Sequence, residues 1–136
     1  KSFESVITSC AAANRPGQNG TWIRPDMIES YIALHKAGVA HSVEAYLDGE
    51  LAGGFYGVLI GSVFFGESMF TVVENASKAA FCTFVAAFRK AGGKLIDSQI
   101  YTDHVARFGG RNISRAAFLR YEKDYLREPL LGEVNL

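Results

Sequence analysis

Only two cysteines and three prolines occur in these 136 residues. Cys10 and Cys82 lack the C-x-x-C spacing of a redox or zinc motif. A disulfide framework is therefore not the organising device, and a reduced, cytosolic setting is expected. Cys82 falls inside an apolar helical stretch, which predicts a small core residue. His35, His41 and His104 miss the spacings of a metal-ligand set, so no metal is expected. No apolar run approaches the roughly 18–20 residues that cross a bilayer. The start of the chain lacks the charged and apolar regions of a secretory signal. A G-x-S-x-G elbow, a P-loop and a dinucleotide fingerprint are all missing, so none of those chemistries has support from a short motif. The first residue is Lys rather than Met, which fits either a cleaved protein or a fragment with residues missing upstream.

What is present is enough apolar material for a core. The chain is 49% hydrophobic and 21% charged, which predicts one compact domain over residues 1–136. The net charge of zero conceals an asymmetry. Residues 1–77 hold four Lys/Arg against eight Asp/Glu, residues 78–127 hold ten against four, and two more acids follow. Such a division fits either a basic face for an anionic partner or a set of solvated helix surfaces.

The periodicity changes along the chain. Phe3, Val6, Ile7 and Cys10 recur at helical spacing, predicting a helix over 2–13, and the Gly-, Asn- and Pro-rich stretch NRPGQNGTW predicts a loop. Pro25, Asp26 and Gly38 have the start and stop chemistry of a second helix over 25–36. HSVEAYL, LAGGFYGVLI and SVFFGESMF then read as three strands of an antiparallel meander, turning at 48–50 and at Gly61-Ser62. Gly53, Gly54 and Gly57 in the central strand suggest a bulge, a close approach or plain packing. Phe81, Phe84, Val85 and Phe88 form the apolar stripe of the clearest helix, which Gly92-Gly93 ends. A strand KLIDSQI, a short helix near 103–107 and a last helix from an N-cap at Ser114 to about Arg127 complete the order. The expected class is α+β, with a mixed sheet flanked by helices.

Two strands carry acids among apolar residues. Strand alternation places Leu95, Asp97 and Gln99 on one face, and Phe65, Glu67 and Met69 on one face of another strand. A buried carboxylate needs a partner. The pattern therefore fits either an anionic pocket formed with Phe55, Met69, Phe81, Phe84 and Phe88, or acids solvated at strand ends. Trp22, the single tryptophan, precedes a helix and reads as a hydrophobic anchor or as a stacking surface for a ring.

The segments GTWI, HSVEAYLDGELAGGFYGV, FFGESMF, NASKAA, GGKLIDSQ and DHVARFGGRNISRAAFL occur in this order, from about Thr21 to Tyr121. Together they resemble the leucyl/phenylalanyl-tRNA–protein transferase family. The resemblance implies a GNAT-like acyltransferase domain, with the family's N-terminal region absent from these 136 residues. It implies transfer of Leu or Phe from aminoacyl-tRNA to proteins beginning with Arg or Lys, which marks them for N-end rule degradation in the cytoplasm. The aminoacyl ester is already activated, so no cofactor is implied. By resemblance, Asp97 orients and polarises the attacking amine, Gln99 bridges to it, and Glu67 holds the cationic acceptor or its amine. Phe55, Met69, Phe81, Phe84 and Phe88 match the donor side-chain pocket, and Trp22 matches a contact to the aminoacyl-adenosine. Lys78, Arg107, Arg111 and Arg115 are the implied tRNA contacts. Thr102 stands where some members have Asn, and Phe81 where a member has Leu.

Two other classes of function stay open at this level. One is a tRNA- or peptide-binding remnant that keeps the fold without catalysis. The other is an acetyl-CoA-dependent acetyltransferase, against which stands ENASKAA where an R/Q-x-x-G-x-G/A pyrophosphate loop would be expected.

Overall fold

The computed structural model describes residues 2–14 and 20–136; residues 15–19 of the predicted NRPGQNGTW loop lie outside the described residues. The element order is α1 (Phe3–Ala12), α2 (Pro25–Lys36), β1 (Ala40–Leu47), β2 (Glu50–Ile60), β3 (Val63–Thr71), α3 (Ala76–Lys90), β4 (Leu95–Asp97), α4 (Asp103–Arg107) and α5 (Arg115–Tyr125). The four strands form one mixed sheet in the order β1-β2-β3-β4. This is the α+β arrangement expected of a GNAT-like fold. By its contacts the chain packs as two compact units, Lys1–Gly57 with Glu67–Phe81, and Val58–Gly66 with Cys82–Leu136.

In the first unit, Ser2 caps α1 by accepting the Ser5 amide at 3.3 Å. The stripe Phe3, Val6, Ile7 and Cys10 is buried as its spacing predicts. Helix α2 carries Pro25 in its first turn. It ends in a Schellman motif, with Val39 donating to Leu34 and Gly38 to His35, both at 2.9 Å. Asp48 and Gly49, both at positive φ, make the two-residue β1–β2 turn of the kind that matches strand twist. Gly53 in β2 is a close approach rather than a bulge, because a Cβ there would meet the Ser77 amide at 2.8 Å and Ala76 Cβ at 2.9 Å.

The second unit is organised around Ser62, which is fully buried. Its amide and its hydroxyl both donate to the Tyr125 carbonyl, at 3.0 and 3.1 Å. Its own carbonyl accepts the Lys94 amide at 2.9 Å. One residue thus ties the β2–β3 turn to the start of β4 and the end of α5. Parallel pairing then sets Val63 against Leu95, Phe64 against Ile96 and Phe65 against Asp97. Helix α3 is the crossover that parallel strands require.

Gly61 sits at φ +59, and a Cβ there would lie 2.4 Å from the Tyr125 carbonyl. Gly61→Ala is therefore expected to destabilise the second unit by about 2–4 kcal/mol, through left-handed strain and weakened Ser62–Tyr125 bonds. Thermal unfolding followed by circular dichroism checks this, and an unchanged midpoint would mean that α5 does not dock on the turn.

Two expectations need correction. Cys82 is exposed, and Cys10 is the buried thiol. The buried stripe of α3 is Ser77, Ala80, Phe84 and Phe88, continued by Ala91 just past the helix end. At about 100° per residue, position 82 falls off that stripe. The strand KLIDSQI is also shorter than its alternation suggests, because only Leu95–Asp97 pair. No helix among the described residues is long and apolar enough to cross a membrane.

Candidate active site

Asp97 is the last residue of β4, and its side chain ends the strand. Asp97 Oδ1 accepts the Gln99 backbone amide at 2.8 Å. That Asx-turn competes with continued ladder pairing. Gln99 has φ +56, and the Ile100 amide donates to the Ser98 carbonyl at 2.7 Å across it. This closes a γ-turn of the rarer hand. Gln99 is not glycine, so the conformation costs about 1–3 kcal/mol and persists only because its surroundings impose it. The expectation that Gln99 continues the Asp97 face by strand alternation is corrected accordingly. The two residues are joined through the Gln99 backbone, which leaves the Gln99 carboxamide exposed.

The next element fixes the far side of this turn. Thr102 caps α4 by accepting the Val105 amide at 3.1 Å. Ser114 caps α5 as predicted, accepting the Ala117 amide at 3.2 Å. Between β4, α4 and α5 lies a cleft of about 750 Å³. Asp97, Gln99, Arg111 and Arg115 line it together with Lys94, Tyr101, Tyr121 and Tyr125.

The last four residues escaped the sequence reading. A signal was there for two of them, since Phe118, Tyr121 and Tyr125 repeat at helical spacing along α5. The tyrosine rings of Tyr121 and Tyr125 stack at 5.7 Å and 11°. The other implied tRNA contacts lie elsewhere. Arg107 is exposed on α4 and does not line the cleft. Lys78 belongs to the first unit, where its ammonium donates to Asn75 Oδ1 at 3.0 Å.

The five aromatic-pocket positions do not line the cleft. In the second unit Phe84 and Phe88 are buried and stack at 5.3 Å, and Phe84 meets Phe64 at 4.6 Å. In the first unit buried Phe55 meets the half-buried Phe81 edge to face at 5.5 Å, and Met69 is half-buried. Trp22, also in the first unit, is 45% exposed while its neighbour Ile23 is buried. Ile23 is thus the hydrophobic anchor, and the anchor reading of Trp22 is corrected.

Glu67 has a definite partner in the first unit. Tyr31 donates its hydroxyl to the Glu67 carboxylate, and its ring meets Tyr56 edge to face at 5.1 Å. Burial, and then the Glu67 charge and hydrogen bond, push the Tyr31 hydroxyl up to about 12. Below about pH 10 Tyr31 is protonated in both the folded and the unfolded chain. Between there and about 12 the unfolded chain loses the proton first, so stability falls as pH rises through that window. Denaturant melts across this range are expected to show the fall in the wild type and a shallower one in Tyr31→Phe. Equal slopes would remove the Tyr31–Glu67 link.

The family profile described as leucyl/phenylalanyl-tRNA protein transferase matches residues 1–123. The chain belongs to this family. The leucyl/phenylalanyl-tRNA–protein transferase of Myxococcus xanthus is 52% identical over 127 residues, covering 93% of this chain and 54% of that protein. The one from Bordetella petrii is 51% identical over 130 residues, 96% of this chain and 49% of its own length. A third, from an Anaeromyxobacter strain, is 52% identical over 137 residues, with 100% and 58% covered. The chain thus spans about half the length of these leucyl/phenylalanyl-tRNA–protein transferases. Asp97, Gln99 and the lining residues through Tyr121 fall inside the family match, and Tyr125 lies just beyond it.

Proposed function

We propose that the protein is an aminoacyltransferase. It moves Leu or Phe from aminoacyl-tRNA to the α-amine of an acceptor whose first residue is Arg or Lys. The product bears a destabilising N-terminal residue and enters N-end rule degradation, in the cytoplasm where aminoacyl-tRNA is made. The observation that carries this reading is the placement of Asp97 and Gln99 on one cleft with Arg111 and Arg115, in a member of this family.

The chemistry needs little beyond these groups. The amine nitrogen attacks the ester carbonyl carbon and a C–N bond forms. The ester C–O bond then breaks, and the 3′ oxygen leaves with a proton. Asp97 Oδ1 is held by the Gln99 amide, so the second carboxylate oxygen serves the attacking amine, orienting it and drawing on its proton. The Gln99 carboxamide, free of that bond, supplies a neutral donor and acceptor for the reacting ester. The energy of the amide comes from the ester itself, so no nucleotide or coenzyme is consumed. Glu67, oriented by Tyr31, offers a carboxylate to the acceptor's cationic residue. Trp22 offers a half-exposed ring to the aminoacyl-adenosine.

The test is a transfer assay with the full-length gene product. Radiolabelled Leu-tRNA and Phe-tRNA are mixed with peptides beginning with Arg, Lys or Ala. Label is expected in the Arg and Lys peptides and not in the Ala peptide. Absence of transfer from both donors overturns the proposal.

A further inference from the structure

Helix α2 carries Tyr31, the partner of Glu67, yet none of its side chains is buried. A helix takes most of its hold from the packing of an apolar face, and α2 has little of that. Two aromatic contacts set it in place instead, four residues apart and so on one face. Tyr31 meets the fully buried Tyr56 edge to face at 5.1 Å and 72°. His35 stacks on the buried ring of Phe3 at 4.5 Å and 8°. Phe3 in turn meets Tyr56 edge to face at 5.7 Å. The four rings close a circuit from α2 through α1 and β2 and back to α2, all within the first unit that also holds Glu67. The His35 ring has a further tie, because its Nδ1 meets the Ala40 carbonyl at 2.8 Å. A carbonyl only accepts, so Nδ1 carries the proton and the ring plane is fixed. Stopping the helix does not require an imidazole here, since the Schellman motif uses backbone groups alone.

A hydrogen bond from a tyrosine hydroxyl to a carboxylate weakens steeply with distance and angle. A small slide or roll of α2 would therefore take the Tyr31 hydroxyl off Glu67. We propose that His35 is a positioning residue for acceptor recognition, its stack on Phe3 locking α2 so that Tyr31 holds the Glu67 carboxylate. The inference rests on the reading of Glu67 as the group that takes the acceptor's cationic first residue. It deepens that reading by adding a residue that need not touch the substrate. An imidazole that served only the α2–β1 corner would leave the Tyr31–Glu67 bond unchanged when removed.

Steady-state transfer by the full-length protein tests this, with Leu-tRNA and a peptide beginning with Arg varied separately. His35 is exposed, so its variants are expected to fold. His35→Ala should raise the KM for the peptide about fivefold, with kcat and the KM for Leu-tRNA within about twofold of the wild type. His35→Phe keeps a ring on Phe3 and is expected to restore most of the difference. Glu67→Gln removes the charge that the peptide needs, so adding His35→Ala to it should raise the peptide KM no further. A second measurement needs no transfer. NMR of isotope-labelled tyrosine rings follows each hydroxyl through its titration, with Tyr31→Phe assigning the resonance. The Tyr31 hydroxyl, pushed up to about 12 in the wild type, should ionise in His35→Ala at lower pH, towards the ordinary value of about 10. An unmoved Tyr31 titration overturns the inference. So does a rise in peptide KM of equal size with and without Glu67→Gln, or a His35→Phe variant as impaired as His35→Ala. A wild type that transfers no amino acid, while His35→Ala still moves the Tyr31 titration, removes the transferase reading and keeps the lock. A wild type that transfers normally, with peptide KM and Tyr31 titration unmoved in His35→Ala, does the reverse.

Discussion

Asp97→Asn is expected to lower the rate of amino-acid transfer by about 100-fold or more while leaving the thermal midpoint near that of the wild type. The Asx-turn needs only an acceptor at the position of Oδ1, 2.8 Å from the Gln99 amide, and an asparagine carbonyl oxygen supplies one. What the substitution removes is the charge and the capacity to draw a proton from the attacking amine. Positioned proton transfer contributes about 10²–10⁴ in rate. Asp97→Ala removes the turn as well, frees the strained Gln99 backbone, and is expected to fall at least as far. The pair of variants separates two roles for one carboxylate. A transfer rate in Asp97→Asn equal to the wild type would leave Asp97 as a turn former only.

The residues that end β4 show how far a sequence pattern reaches. Helices α1 and α2 and the three long strands lie within a residue or two of their predicted bounds, because periodicity and terminal residues are local signals. The segment LIDSQI alternates as a strand should, yet it stops pairing at Asp97. A carboxylate that bonds the backbone two residues on is indistinguishable in the pattern from one that stands out from a sheet. The same holds for Cys10 and Cys82, since an apolar stretch does not say which residue lies off the buried stripe. The parallel register of β4 on β3 and the cleft beside it are long-range features. They depend on Ser62 meeting Tyr125 and Lys94, and only Tyr121 and Tyr125 left a trace, as a stripe on the last helix. The family resemblance singled out Asp97 and Gln99 without describing the turn that joins them.

Phe84→Ala is expected to cost about 3–5 kcal/mol, the usual effect of removing a fully buried ring. Phe84 is only 5% exposed and packs on both Phe64 and Phe88, so the cavity would open inside the core of the second unit. Against a total stability of about 5–15 kcal/mol, that loss alone is enough to depress activity. Lost transfer in the Ala variant therefore says nothing about a donor pocket. Phe84→Leu is the informative change, because it keeps most of the buried volume and so more of the stability. If the ring belongs to the pocket for the donor side chain, the ratio of kcat/KM for Phe-tRNA to that for Leu-tRNA should shift severalfold, since contacts worth about 1–3 kcal/mol are redistributed between the two donors. The shift is expected, measured at a temperature well below the variant's melting midpoint. A lower midpoint with an unchanged ratio would assign Phe84 to the core alone and move the search for the donor pocket to Phe81 and Met69, the two pocket candidates that are only half-buried.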